Sequence, residues 1–455
     1  MDFTKEIKEV LEPMAKDISD ICKINSVESE PLEGMPFGEG PAKALQAALD
    51  IGKRMGFETE NFDNYVGHVD FGDGEDMIGI LGHVDVVPAG EGWEHDPWGG
   101  EISDGYIWGR GTVDDKGPMI VCLYALKILK DKGVKLNKKV RMIFGTNEET
   151  NWGCMNYYLN NVKPKFPSAS FSPDASFPVT YAEKGIYQFN LIKNINTNIT
   201  VSGGNAFNAV PSIAEALVPS VNKDDVLSVI PSLETKCTFT VTECDGKVKI
   251  TSLGKGGHAA ELQEGINAVS GLMELLSKLN LNDEISEVLK FYENKIGNTI
   301  YAEKLGIANE DESGHLTLNI GKISIENNKA VISCDIRIPV TDNLDRVRNF
   351  VKTVAQENGF IYEECAAETP LYIPKDSPLV TTLMDAYKDI TGDVTAVPIT
   401  SGGGTYSRTI NNCVAFGCIL PDQEDTIHQA NERLKLEHME KWLEIYIEAI
   451  YRLAK

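Results

Sequence analysis

The sequence predicts an α/β fold, a mostly parallel sheet flanked by helices, with an inserted α+β domain. The chain has 455 residues, which is too long for one hydrophobic core. Up to about residue 183, predicted strands alternate with helices, as in parallel sheets. Beyond that point, strands of alternating pattern form hairpins between helices, which is typical of an α+β domain. We therefore expect a first domain over 1–183 that resumes over 371–455, and an inserted domain over 184–370.

The composition is that of a globular protein with an acidic surface. Hydrophobic residues make up 42% of the chain and charged residues 24%. The 43 Lys and Arg against 68 Asp and Glu give a net charge of −25, which repels phosphate groups and excludes nucleic acid and anionic membranes as partners. The acidic amino terminus is unlike a signal peptide, and the nine cysteines include no Cys-x-x-Cys pair. We expect a cytoplasmic protein with reduced thiols.

Residues 1–183 show the periodicities of helices and buried strands. Amphipathic spacing from Thr4, and Pro41 at a position that suits the first turn of a helix, predict two opening helices. The apolar run 77–81 predicts a buried strand, and a segment from Pro118 to about Lys132 is apolar nearly all round, as in a buried helix. Two further strands complete this alternation: Val140–Phe144 and Ser168–Ser172.

The inserted domain shows the period of two that is typical of antiparallel strands. Strands at Lys236–Thr242 and Lys247–Leu253 flank Asp245-Gly246, a strong hairpin turn. A second hairpin over Ile323–Ile338 is expected to turn at Asn327-Asn328. Helices separate these hairpins, at 264–279 and 344–358.

After the insert, the chain returns to the first domain. Pro370 to Pro374 is interpreted as the linker, because its prolines suit neither a helix nor a central strand. A helix from Ser377 to Ile390, a strand at Val414–Phe416 and an amphipathic final helix are expected to complete that domain.

The motif His83-Val84-Asp85 follows the run 77–81 and is the first candidate for chemistry. Residues i and i+2 share one face of a strand, so His83 and Asp85 are expected to point the same way. One can bind a metal ion while the other orients it. Alone, the pattern favours a structural histidine with its hydrogen bonds satisfied.

Further acidic residues and a second histidine fall at or beyond the ends of predicted elements. The carboxyl ends of parallel strands meet at one edge of a sheet, so we expect these side chains to converge. Two imidazoles with three or more carboxylates suit zinc, manganese or cobalt, and are too rich in nitrogen for calcium or magnesium. Each residue alone is also explained as a helix cap or a solvated carboxylate. The set comprises His83, Asp85, Asp114, Glu148, Glu149, Asp174 and His428.

Glu148 and Glu149 are adjacent, and the side chains of neighbouring residues diverge. We therefore expect one of them to bind metal and the other to act as a general base. The spacing alone leaves open which residue takes which role.

The motifs around this set extend over nearly the whole chain. They resemble the zinc-dependent aminoacylase/carboxypeptidase/dipeptidase superfamily, most strongly outside the insert. The length and the large insert resemble its PepV-type dipeptidases, which include Xaa-His and carnosinase-like activities. The motifs are Gly82-His83-Val84-Asp85-Val86-Val87-Pro88, Gly109-Arg110-Gly111-x-x-Asp114-Asp115-Lys116-Gly117, Glu148-Glu149, Ser172-Pro173-Asp174, Ser401-Gly402-Gly403-Gly404-Thr405-Tyr406 and His428-Gln429-Ala430-Asn431-Glu432.

The resemblance implies a zinc-exopeptidase-like catalytic domain with an inserted lid, and two divalent metal ions. Zinc is preferred, with manganese or cobalt as alternatives. Asp114 would bridge the two ions, and Asp85 would orient His83. Glu148 would take a proton from the water between the ions and later give it to the leaving amine. The other implied ligands are His83 and Asp174 for one ion, and Glu149 and His428 for the other.

The resemblance also assigns substrate contacts to the lid and to a glycine-rich loop. His258 would stabilise the oxyanion, and Asn208 and Arg337 would hold the substrate, Arg337 through its terminal carboxylate. Gly403 and Gly404 would allow close backbone approach to a carboxylate, and a phosphate loop is excluded because no Lys-Ser/Thr follows. Without the resemblance, His258 is a loop histidine and Arg337 a surface charge.

These implications describe a monomeric dipeptidase that acts on unblocked dipeptides. The alternative within hydrolases is an N-acyl amino-acid deacylase or desuccinylase that uses the same metal site. A metal-binding protein without turnover is disfavoured by Glu148, which metal binding does not require. Three departures from the family pattern, Asn147, Ser212 and Leu262, bear on substrate preference and remove no ligand.

Overall fold

The computed structural model describes residues 2–219, 221–244, 246–281 and 283–455. The chain forms two compact units. The first contains the residues up to Tyr181, together with Ile373–Ile399 and Thr405–Lys455; the second contains Ala182–Tyr372 and Thr400–Gly404. Within the described ranges, no helix is long and apolar enough to cross a membrane.

A mixed sheet forms the centre of the first unit. The pairings of Met77–His83 with Lys139–Gly145 and with Ala169–Ser172 are parallel, as is that of Ala169–Ser172 with Cys413–Ala415. The pairings farther out on both sides are antiparallel. The predicted α/β class is confirmed, with the parallel pairings confined to the middle of the sheet. In spatial order the strands are Glu58–Phe62, Val66–Phe71, Lys139–Gly145, Met77–His83, Ala169–Ser172, Cys413–Ala415 and Thr180–Glu183, of which the last runs on into the second unit.

The central strand is buried along its whole length, as its apolar sequence predicts. The helix Lys116–Asp131 packs against it and is itself nearly all buried. This approach requires Gly82, since a Cβ atom there would collide with the Asp115 carboxylate and the Met119 sulfur. The helix begins two residues before the expected Pro118.

Further helices and small sheets surround this core. The opening helix begins at Thr4, as predicted, and the second begins at Glu39, two residues before Pro41. The helices are Thr4–Cys22, Glu39–Arg54, Lys116–Asp131, Gly153–Tyr157, Pro378–Thr391 and Leu436–Ala454, with a π-helical turn at Tyr158–Val162 and a 3₁₀ turn at Tyr406–Arg408. The small sheets are Glu101–Ser103 with Tyr106–Trp108 and Arg433–Lys435, and Ala175–Ser176 with Cys418–Ile419.

The second unit is built on an antiparallel sheet with helices, as predicted for an α+β domain. Asn327 and Asn328 take positive φ angles of 50° and 60°, as the tight turn of a two-residue hairpin requires. The other predicted turn includes Asp245, which lies outside the described residues. In spatial order the strands are Thr238–Cys244, Lys247–Leu253, Ile213–Val218, Thr200–Gly203, Thr317–Glu326, Lys329–Ile338, Gly185–Asn194 and Ile361–Glu368.

Local hydrogen bonds set the helix boundaries of the second unit. The helix expected from residue 264 begins at Ala268, because the side chain of Asn267 accepts the N–H of Ser270 and caps it. Residues 371 and 372 of the expected linker form a short strand that pairs with 182 and 183. The helices are Lys223–Val229, Ala268–Lys278, Ile285–Phe291 and Leu344–Glu357; the short strand pairs are Ala209–Val210 with Gly257–His258, and Glu310–Asp311 with Gly314–His315; the other helical turns are Ile230–Ser232, Ala259–Glu264 and Tyr292–Ile296.

Candidate metal centre

Three neighbouring strands of the first unit end at one edge of its sheet. Lys139–Gly145 and Ala169–Ser172 lie on either side of Met77–His83, and all three run in the same direction. The chain passes from the central strand to one neighbour and then to the other, which makes a topological switch point, the usual ligand position in such sheets. The predicted residues at these strand ends are His83, Asp85, Glu148, Glu149 and Asp174.

His83 is fully buried, and its tautomer is fixed by a backbone carbonyl. Its Nδ1 lies 3.0 Å from the main-chain oxygen of Asp85, which can only accept, so Nδ1 carries a hydrogen and donates it. Its Nε2 faces two carboxylates, at 3.0 Å from Oδ1 of Asp114 and 3.7 Å from Oδ2 of Asp174. This is the orientation in which Nε2 can bind a metal ion.

The carboxylate of Asp114 lies between two imidazoles. Its Oδ1 faces His83, and its Oδ2 is 2.9 Å from Nε2 of His428. The same nitrogen of His428 is 3.1 Å from Oε2 of Glu149. Residues that are more than 250 positions apart in the chain therefore meet around one carboxylate.

Asp85 connects two of the strand ends. Its side-chain oxygens accept the backbone N–H groups of Glu148, at 3.0 Å, and of Glu149, at 3.1 Å. One of these oxygens is also 3.4 Å from Nδ1 of His83. Asp85 thus holds the backbone of the glutamate pair in place and lies beside the histidine that it was expected to orient.

Burial, together with neighbouring carboxylates, raises several pKa values in this cluster. Burial, and then the charge of Asp114, raise the pKa of Asp174 to about 8. Burial, with the charge of Asp174, also raises the pKa of Glu148, and burial with the charge of Asp114 raises that of Glu149. Removing all these protons leaves several like charges close together, which favours a bound cation.

The two histidines and Asp114 show the opposite effect. Burial opposes charge on both imidazoles, yet contacts with Asp114 and a second carboxylate raise the pKa of His83, and raise that of His428 to about 11. Burial of Asp114 is likewise outweighed by the two histidines, so the pKa of this carboxyl is held below its usual range. In each case a proton between an imidazole nitrogen and a carboxylate oxygen stabilises the arrangement.

The donor atoms of the cluster fit a divalent metal ion. Ligand atoms of His83, Asp114 and Glu149 lie within 4.8 Å of one another, as do those of His83, Glu148 and Asp174. Imidazole nitrogen and carboxylate oxygen together are preferred by zinc, manganese and cobalt. A cation here would take the place of the protons that otherwise link imidazole to carboxylate.

Sequence reasoning missed one contributor to this site, Glu432. Its carboxylate is fully buried and accepts both the guanidinium of Arg110, at 2.7 Å, and the backbone N–H of Asp114, at 3.2 Å. Both Glu432 and Arg110 stand in the motifs quoted above, without a role. The available signal was their charge: two charged side chains inside motifs that otherwise supply ligands and glycines.

The other predicted residues lie in the second unit. Arg337 is buried and donates from Nε and Nη2 to the carboxylate of Asp335, at 2.7 and 3.2 Å. Its Nη1 donates to the carbonyl of Gly402 at 3.0 Å. Among the described residues, this uses three of its five N–H groups. Arg337 is therefore not the surface charge that its sequence alone suggests.

His258 and Asn208 lie next to each other in the second unit. The short strands that contain His258 and Ala209 pair, and the N–H of Ala259 donates to the Asn208 carbonyl at 2.8 Å. Nδ1 of His258 accepts the N–H of Ala260 at 3.1 Å, so the neutral imidazole carries its hydrogen on Nε2. Both residues are exposed.

The glycine-rich loop at 400–404 belongs to the same unit and touches the same residues. Besides accepting from Arg337, Gly402 packs so closely on Ala260 that a Cβ atom would lie 2.7 Å from the alanine methyl group. The N–H of Gly403 donates to the Ser401 hydroxyl at 3.0 Å. Gly404 ends this segment of the unit. The structure thus links Asn208, His258, Arg337 and the glycine loop through neighbouring contacts.

Comparison with known proteins places the chain in a family. The model for "Peptidase family M20/M25/M40" matches residues 79–452. "Putative dipeptidase YtjP" from Bacillus subtilis (strain 168) is 35% identical over 471 residues, with 100% of both chains covered. A "Putative dipeptidase" from Staphylococcus epidermidis is 36% identical over 473 residues, with 99% of each covered.

A solved structure agrees at the level of the fold. Human carnosine dipeptidase 1 is similar with a TM-score of 0.62 at 15% identity, over 99% of this chain and 98% of that chain. The extent of the family match and the identity to the curated relatives confirm the superfamily that the motifs indicate. The chain belongs to peptidase family M20/M25/M40.

Proposed function

We propose that this protein is a dinuclear metal-dependent dipeptidase that hydrolyses the peptide bond of short, unblocked peptides. The observation that carries the proposal is the Asp114 carboxylate, with one oxygen facing His83 and the other facing His428. A carboxylate placed in this way suits two ions at once. The putative dipeptidases that align over the whole chain support the substrate class.

The proposed ligands divide into two groups around Asp114. His83 and Asp174 would hold one ion, and Glu149 and His428 the other, in agreement with the contacts of each imidazole. With two nitrogens among carboxylates, zinc is the proposed metal, and manganese or cobalt are alternatives. When bound, the ions would polarise the scissile carbonyl and lower the pKa of the attacking water.

Glu148 is the proposed general base. It would accept a proton from the water and return it to the nitrogen of the leaving amine. Burial and the charge of Asp174 raise the pKa of Glu148, and a raised pKa is the direction that a carboxylate acting as a general base requires. Asp85 would support this role by holding the Glu148 N–H and the imidazole of His83.

The second unit supplies the proposed substrate contacts. His258 would donate from Nε2 to the developing oxyanion, since its Nδ1 is already an acceptor. Arg337 has N–H groups beyond those used by Asp335 and Gly402, and these would bind the terminal carboxylate of the peptide. Asn208, Gly403 and Gly404 complete the proposed set.

A substrate panel on metal-depleted and reconstituted protein tests the proposal. We expect chelated protein to be inactive and to regain hydrolysis of unblocked dipeptides with zinc, cobalt or manganese, at two ions per chain by elemental analysis. The panel includes β-alanyl and D-residue dipeptides, which report on side-chain preference. N-acyl amino acids are the matched control. If only the N-acyl amino acids are hydrolysed, the protein is a deacylase and the proposed dipeptidase activity is wrong. If the protein binds metal but hydrolyses no substrate, it is not an enzyme of this kind and the proposal is refuted.

A further inference from the structure

We propose that Glu432 and Arg110 form a buried pair that positions the metal ligands Asp114 and His428 and thereby sets the affinity for metal. This inference rests on the proposed metal centre. Neither residue is placed among the ligands, so their role would be exerted through backbone geometry.

The carboxylate of Glu432 accepts four hydrogen bonds from the segment that carries Asp114. Its Oε1 accepts the backbone N–H groups of Gly111, at 3.0 Å, Val113, at 2.9 Å, and Asp114, at 3.2 Å. Its Oε2 accepts Nη1 of Arg110 at 2.7 Å. A single buried carboxylate therefore accepts three backbone N–H groups of this loop, and the last of them belongs to the proposed bridging ligand.

Glu432 also belongs to the turn that carries the second histidine. His428 lies four residues before it, and both His428 and Asn431 have positive φ angles, 60° and 61°. Side chains of L-residues disfavour this conformation, so a turn of this kind persists only where its surroundings hold it. The carbonyl of Glu432 contributes by accepting the N–H of Gly109 at 3.0 Å.

Arg110 extends the pair to a third segment, which follows Asp85. Its Nη2 donates to the carbonyls of Pro88, at 3.4 Å, and Ala89, at 3.3 Å. Its guanidinium lies 5.3 Å from the ring centre of Trp93. The side chain is 1% exposed, so these contacts are made away from water.

An amide cannot replace the Glu432 carboxylate without losing contacts. Every group around it is a donor, on one side Arg110 and on the other three backbone N–H groups. A glutamine turned either way would set its NH₂ group against one of these sets. Glu432→Gln is therefore a near-isosteric change that loosens the Asp114 loop while it leaves all five proposed ligands present.

The matched control is another arginine–carboxylate pair of the first unit. Asp70 accepts Nε and Nη2 of Arg141, each at 2.7 Å, and lies on Val66–Phe71, the second strand of the sheet. Its carboxylate makes no contact with the ligand loops in the described part of the chain. Asp70→Asn thus removes a comparable pair at a place where metal binding should not change.

The experiment measures zinc affinity and stability of the full-length wild type, Glu432→Gln and Asp70→Asn. Each chain is metal-depleted and titrated with zinc against a chromophoric chelator, and unfolding is followed with and without zinc. We expect both variants to lose stability, but only Glu432→Gln to bind zinc more weakly, by about 10- to 100-fold. At saturating zinc, its KM should stay near that of the wild type.

If Glu432→Gln fails to fold, Arg110→Lys provides the same comparison. It keeps the positive charge beside Glu432 but loses the fork that reaches Pro88 and Ala89, and weaker zinc binding is again expected. Unchanged zinc affinity in a folded Glu432→Gln chain, with a stability loss like that of Asp70→Asn, overturns the inference alone. A wild-type chain that takes up neither zinc nor manganese nor cobalt overturns the proposed function, and the inference with it.

Discussion

Replacement of Glu148 by glutamine gives the sharpest test of the proposed mechanism. The change keeps the size of the side chain and leaves the backbone N–H of residue 148 on Asp85. It removes only the ability to take up a proton. General base catalysis contributes about 10²- to 10⁴-fold, so kcat should fall by that factor, which corresponds to a rise of about 3–5 kcal/mol in activation free energy. KM should change little, because the proposed substrate contacts lie in the second unit.

The structure makes metal content the deciding measurement. A carboxylate oxygen of Glu148 lies within 4.8 Å of ligand atoms of His83 and Asp174, close enough for Glu148 to be considered as a ligand itself. If Glu148 is the base, the Glu148→Gln chain should still bind two ions with the affinity of the wild type. Glu149→Gln is the matched control, and should weaken metal binding.

Elemental analysis and single-turnover kinetics of the two variants separate the roles. Loss of one ion from Glu148→Gln would show that Glu148 is a metal ligand, and the roles proposed for Glu148 and Glu149 would then have to be changed. Undiminished turnover by a fully loaded Glu148→Gln chain would refute the general base altogether.

Three further predictions follow from contacts within the first unit. Gly82→Ala should destabilise the chain by about 1–3 kcal/mol and weaken zinc binding. The reason is that the new methyl group displaces the Asp115 carboxylate, which accepts the N–H of His83. Thermal unfolding measures the loss of stability, and zinc titration measures the loss of affinity. Asp70→Asn should cost about 3 kcal/mol in unfolding free energy at pH 7. Burial raises the pKa of Asp70, but Arg141 outweighs this effect and holds the pKa below 3.8. The stability difference between wild type and variant should therefore be present in full above pH 3.8. In urea titrations it should shrink as the pH falls through the lowered pKa of Asp70. Chelation should lower the melting temperature reversibly, since an ion at 100 times its Kd contributes about 2.7 kcal/mol; a melting temperature that chelation and zinc leave unchanged would contradict the metal site.

The strand ends were predictable because short apolar runs mark buried strands, and strands that alternate with helices pair in parallel. Met77–His83 and Lys139–Gly145 are buried and parallel, as their sequences indicate, and this alone brings His83 close to Glu148. Asp114 is different, because it lies in a loop before the helix Lys116–Asp131. No periodicity places such a residue. The sequence offered Asp114 only as one of several acidic residues near the ends of predicted elements, and its bridging role came from the resemblance to a known motif.

The contacts of Glu432 show why other features escaped prediction. Its carboxylate meets the N–H of Asp114 across 318 positions of sequence, and backbone donors leave no trace in residue identity. The helix that begins at Ala268 is the opposite case. Its cap, Asn267, bonds to Ser270 three residues later, so a closer reading of local capping would have corrected the predicted start at 264.

The two units gather their candidate residues by different physical means. In the first unit, parallel strands deliver side chains to one edge, which concentrates carboxylates and makes a cation the natural neutralising partner. In the second unit the sheet is antiparallel, so successive strand ends alternate between its two edges. Its candidates are instead joined by loop contacts, from Arg337 to Gly402, from Gly402 to Ala260 beside His258, and from Ala259 to Asn208. Substitutions at the sheet edge of the first unit should therefore act through metal and charge, whereas those in the second unit should act through the orientation of single hydrogen-bond donors.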